Sequence, residues 1–183
     1  MGFSHGIALF ALMVLFQTAN KPNDNAGILY GPDYAFILAA PDGWVLDDVS
    51  GRKEGLPAVF YKRGESWSRA KVVMYANPVR KSKGETVNGI IASDVSRFNK
   101  LNPGIVVEDG ISVTVANGRK LPAKIFRGTK GGETEIVVYA DETSCVVMLV
   151  LSGTPKDVDA ARASFDALLR TYVFITSDVH SGK

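Results

Sequence analysis

The sequence predicts an α+β domain. An antiparallel β-sheet of about six to eight strands ends in a four-strand C-terminal meander, and two amphipathic helices pack on it. Three observations carry this expectation. Apolar and polar residues alternate from Ile111 to Ala140 around Asn117-Gly118, the strongest short-range hairpin signal. Residues 87–98 and 161–172 instead repeat apolar residues at helical spacing. The 183-residue chain is 46% hydrophobic and 22% charged, ordinary globular values at a length that buries a core without disulfide or metal staples.

The N-terminus comes first. Ile7 to Phe16 is an unbroken apolar run, well short of the roughly 20 residues that a membrane-spanning helix needs. It has the length of a secretory h-region, and Gln17-Thr18-Ala19-Asn20 follows as a polar exit. Met1–Gly6 holds no Lys or Arg, and Gln17 stands where a small residue usually precedes a cleavage site. The competing reading is a buried N-terminal helix, but the run lacks the amphipathic period to pack as one. Residues 1–26 are therefore expected to be a signal peptide and linker, and residues 27–183 a single domain, exported to the periplasm or secreted, with no membrane span in the mature chain.

Strand signals then dominate. Tyr34–Ala39 is apolar and closed by Pro41-Asp42-Gly43, a turn whose Pro presets φ and whose Gly accepts positive φ. Trp44–Leu46, Ala58–Tyr61 and Lys71–Ala76 read as further strands between Gly-rich turns. Val87, Ile91, Val95 and Phe98, with Ile90 alongside, mark one face of a helix that Asn102-Pro103-Gly104 stops. Ser93, Asp94, Arg97 and Lys100 are expected on its solvent side.

Ile111, Val113 and Val115 open the meander as its first strand. Leu121–Phe126 and Thr134–Ala140 follow, and Cys145–Leu151 is apolar throughout, as a strand covered on both faces should be. Thr154, Pro155 and Asp157 then form a helix start with a capping box. Ala161, Phe165, Leu168, Leu169 and Tyr172 make the apolar stripe that must pack on the sheet.

Gly43-Trp44-Val45-Leu46-Asp47, Gly55 to Tyr61, Ser66-Trp67, Val72 to Tyr75 and the ending Ser164 to Tyr172 resemble a family of uncharacterised exported bacterial proteins. The broader relatives of that family are the PsbP-like and Mog-like α/β proteins. The resemblance spans residues 33 to 175 and implies an antiparallel sheet with helices on its faces. It also implies docking to a larger partner, and it transfers no binding residue.

Composition excludes several chemistries. A net charge of +2 offers no basic patch for nucleic acid. One cysteine excludes an intramolecular disulfide and every zinc site built on paired cysteines. Both histidines, His5 and His180, sit near the ends. Cys145 lies in an apolar strand with no base nearby and reads as an inert buried thiol. Gly64-Glu65-Ser66 lacks the second Gly of a nucleophile elbow. Gly128-Thr129-Lys130-Gly131-Gly132 reads as a hairpin turn, since no helix N-terminus follows it to hold phosphate. The carboxylate pairs Asp47-Asp48, Glu108-Asp109, Glu133/Glu135 and Asp141-Glu142 read as solvated turns and edges, with neither metal nor cofactor expected. Glu133 and Glu135 point to solvent if Thr134 and Ile136 face inward.

One cluster stands out. Trp44, Tyr61, Lys62, Arg63, Trp67 and Arg69, with Lys71 and Tyr75 nearby, gather aromatic and basic residues around Gly-rich loops. Trp and Arg are favoured at binding hot spots. The competing reading puts Trp44 in the core and the basic residues on a solvated rim, with Trp67 as the better exposed contact. The expected function is a non-catalytic binding or accessory module for an envelope protein or small ligand. The alternative is a small hydrolase built on carboxylates with Ser or Lys.

Overall fold

The computed structural model describes residues 25–115 and 117–179. The apolar leader, His5 and His180 lie outside these described residues. Among the described residues, ten strands and two α-helices run β1 (Ala26–Gly31), β2 (Tyr34–Ala39), β3 (Trp44–Asp47), β4 (Ala58–Lys62), β5 (Val72–Arg80), α1 (Val87–Leu101), β6 (Val106–Thr114), β7 (Lys120–Thr129), β8 (Glu133–Asp141), β9 (Cys145–Gly153), α2 (Pro155–Arg170) and β10 (Val173–Thr176).

Seven strands form one antiparallel sheet in the order β3-β4-β5-β9-β8-β7-β6. The other three form a small sheet, β1-β2-β10, so β2 belongs to a second layer. β6 to β9 are the meander that the alternating pattern predicts. Its first turn is closed by Gly118 N–H on the Val115 carbonyl, 2.9 Å, with Gly118 at φ +79°. That positive φ is open only to a residue without a Cβ clash, which is why Gly follows Asn there.

Each face of the large sheet carries its own core. On one face, α2 and the small sheet cover Phe60, Met74, Leu149, Leu151, Ile136 and Val138, with Phe165, Leu168 and Leu169 supplied by the helix stripe. On the other, α1 lays Ile90 and Phe98 over Phe126, Val137, Tyr139, Met148 and Val150. The helices start where the sequence expects. Thr154 Oγ1 accepts from the Asp157 N–H at 3.3 Å and donates to the Asp157 carboxylate at 2.7 Å. Thr86 Oγ1 accepts from the Gly89 N–H at 3.2 Å.

Three expectations are corrected. Asp94 is on the buried side of α1, only 6% exposed, four residues from Ile90 and from Phe98. Ile111 faces solvent, because the pairing of β6 with β7 slips between Gly110 and Val113 and breaks the alternation. Glu135 and Glu142 do not lie on a solvated edge: Glu135 is half-buried and faces the α1 layer, and Glu142 is 7% exposed. With both faces of a sheet covered, alternation no longer separates core from water.

β5 explains an opening in the α1 layer. β4 pairs with β5 only from Ala58 opposite Ala76 to Phe60 opposite Met74. Asn77 to Arg80 therefore run on without a neighbour on that side, which is where Pro78, lacking an N–H, is tolerated.

Candidate functional site

The open part of the α1 face is a groove. Its upper half, about 460 Å³, lies between the N-terminal half of α1 and the free stretch of β5, with Trp67, Glu54 and Met148 in its wall. Its lower half, about 370 Å³, lies beside the C-terminal half of α1 and reaches Thr129 and Glu135. Tyr75 and Arg97 line both halves.

Each wall is set by local structure. Trp67 comes from the β4–β5 loop, and its indole N–H donates to Glu54 Oε1 at 2.9 Å. Its ring meets the Tyr75 ring edge-on at 6.0 Å, a favoured aromatic geometry. Tyr75 projects from β5, and its hydroxyl donates to Glu135 Oε2 across β9 at 3.4 Å. Arg97 lies over the Phe98 ring at 4.6 Å and pairs with Asp94, which also accepts from the Tyr139 hydroxyl at 2.7 Å. Phe98 in turn stacks on Phe126 at 4.1 Å.

The electrostatics of this groove are uneven. Burial raises the Glu135 carboxyl from its ordinary 4.5 to about 7, against the pull of the Tyr75 hydroxyl and the Arg97 charge. Burial, with the Glu135 charge behind it, likewise raises the Tyr75 phenol. Four carboxylates, Glu54, Glu85, Asp94 and Glu135, line the groove against the single guanidinium of Arg97.

The six residues picked from the sequence do not converge. Trp44 is 2% exposed and belongs to the core under α2, on the face opposite the groove. Tyr61 is half-buried on β4 and donates to Asp47 Oδ2 at 2.8 Å. Burial pushes the Asp47 carboxyl up, but hydrogen bonds from Ser50, Val49 and Tyr61 outweigh it and hold it at about 2. Lys62 and Arg63 are exposed where β4 ends, and Arg69 is exposed with its Nε on Ser66 Oγ at 3.3 Å. Trp67 alone of the six reaches the groove.

The remaining carboxylate and thiol readings resolve as structure. Asp48 sits in a separate hollow with Arg52, its ion-pair partner at 3.0 Å. Glu142 accepts from both terminal nitrogens of Arg119 and from the Tyr172 hydroxyl at 2.9 Å, a buried tie between the β8–β9 turn and the end of α2. Burial raises the Cys145 thiol to about 11 and leaves it a poor nucleophile. Among the described residues no helix is long and apolar enough to cross a membrane.

No protein-family model matches this chain, and no curated protein matches it. Its fold, however, is that of the PsbP-like α+β proteins. The solution structure of cyanobacterial PsbP (CyanoP) from Synechocystis sp. PCC 6803 matches with a TM-score of 0.54 at 14% identity, over 82% of this chain and 91% of that one. PA94 from Pseudomonas aeruginosa, a protein of unknown function, matches with a TM-score of 0.51 at 14% identity, over 63% of this chain and 80% of that one. Such low identity speaks for the fold alone.

Proposed function

We propose that this chain is an exported, non-catalytic binding module that engages an envelope protein or small ligand through the groove along α1. The observation that carries this reading is Glu135, a carboxylate raised to about 7 at the floor of an aromatic-walled groove. Such a group costs the fold stability, and a raised carboxyl in a cleft is the mark of a candidate binding site. Export rests on the apolar run Ile7–Phe16. The alternative, a hydrolase, would draw on Asp94 and Glu135 on either side of Arg97, and would reveal itself as turnover lost on Glu135→Gln.

The test is a pull-down from an envelope extract with the full chain as bait, beside Trp67→Ala and a Lys62→Ala/Arg63→Ala double variant. Circular dichroism would check that each variant is folded. A stoichiometric partner, or a small molecule retained in native mass spectrometry, should be lost from Trp67→Ala and kept by the double variant. Loss only from the double variant moves the interface to the end of β4 and overturns the groove. Fractionation of cells with an antibody to the chain tests export, and a wholly cytosolic signal would sink it.

A further inference from the structure

The lower half of the groove holds two oxygen groups whose hydrogen bonding is incomplete, Thr129 and Glu135. Thr129 is 4% exposed, lines this hollow, and its Oγ1 has no hydrogen-bond partner among the described residues. An unpartnered buried hydroxyl is costly unless something outside the fold meets it. Glu135 receives the Tyr75 hydroxyl at a long 3.4 Å. Arg97, the cation on the wall, gives one terminal nitrogen to Asp94 and lies over the Phe98 ring. The Asn102 amide, also in the wall, donates to the Phe98 carbonyl at 3.3 Å. Two oxygens with unused acceptor lone pairs thus line one hollow, and three further carboxylates, Glu54, Glu85 and Asp94, line the upper half. The rim is apolar: Leu101, 65% exposed, stands beside Phe98.

Resting on the reading of the groove as a binding site, we infer that its lower half takes a primary ammonium group on an apolar stem, held by Glu135 and Thr129 with the stem along Phe98 and Leu101. A primary ammonium brings three donors and one positive charge, which suits a carboxylate and a hydroxyl oxygen side by side. Charge-assisted N–H···O⁻ bonds are the stronger kind, and a cation restores to Glu135 the stabilisation that burial removes. An anion would meet the Glu135 carboxylate, with Arg97 shared with Asp94. The same chemistry is offered by a free alkylamine or polyamine and by a lysine side chain on a protein.

Isothermal titration of the full chain with 1-aminohexane, 1-hexanol and tetramethylammonium, at pH 8 and pH 5.5, tests this inference. 1-Aminohexane should bind at pH 8, with hexanol (no charge) and tetramethylammonium (no N–H) each at least tenfold weaker. The near-isosteric Glu135→Gln should weaken the amine about tenfold or more, and Thr129→Val severalfold. Binding should also weaken on going to pH 5.5 as Glu135 takes up a proton. The groups facing Glu135 are Tyr75 on β5, Asp94 and Arg97 on α1 and Glu133 on its own strand, and Glu135→Gln should abolish that pH response. A lysine-bearing peptide that binds while its acetylated form does not would point to a protein source, and binding confined to free amines to a small molecule.

Equal binding of hexanol, or an amine affinity unchanged by Glu135→Gln, overturns the inference. The wider reading of the groove fails separately, if partner capture survives Trp67→Ala. Amine binding that depends on Glu135 would still support the pocket in that event.

Discussion

Glu135 sets the pH dependence of the fold at the residue scale. A carboxyl raised from 4.5 to about 7 binds more protons folded than unfolded between those values. Its contribution is therefore complete below about pH 4.5 and lost as pH rises through 7. The cost at pH 8 is on the order of 2–3 kcal/mol, partial exposure discounted. Glu135→Gln should then raise the urea midpoint at pH 8 and leave it unchanged at pH 4.5; an equal midpoint at pH 8 would contradict the burial. Removing Asp94 should destabilise the fold instead. Asp94→Ala strands the buried Tyr139 hydroxyl and releases Arg97, and should cost about 2–3 kcal/mol in the same titration. Cys145, with its thiol at about 11, should react with a chromogenic disulfide reagent only after denaturant is added.

The two helices of this chain differ in how plainly they can be read. α2 announces itself through Thr154, Pro155 and an unbroken apolar stripe, and every residue of that stripe is buried. Thr154→Ala removes the cap and should cost about 1 kcal/mol in a thermal melt, an effect that an unchanged melt would refute. α1 carries a carboxylate inside its stripe, so its buried face runs Ile90, Asp94, Phe98. Reading charge as solvent-facing misplaces Asp94, although spacings of four from both apolar neighbours were there to be used. Glu135 has the same history: it shares a strand face with Val137 and Tyr139, and only a second covering layer buries it. Thr129 carries no pattern signal at all, because its burial comes from the way the β7–β8 turn closes. β1 and β10 are short and lack a period long enough to register, so the small sheet could not be anticipated from the residues. The strands of the large sheet could, because turn residues bracket them and alternation marks β7 and β8.

At the scale of the whole molecule, burial on both faces makes β9 the strand least able to open. It is paired by β5 and β8 along its length and covered by both helix layers. Amide exchange should be slowest from Val147 to Leu151 and faster throughout β1 and β10; comparable rates would contradict this ranking. The small sheet has a different consequence. β2 is flanked by the first described strand and by the last, so its pairing draws on segments from opposite ends of the described chain. A chain emerging from the ribosome can fold β1 onto β2 at once, but the far edge of β2 stays bare until residues 173–176 are made. Bare edges recruit foreign strands. The nascent chain carries that edge open, and the last described strand is the one that closes it.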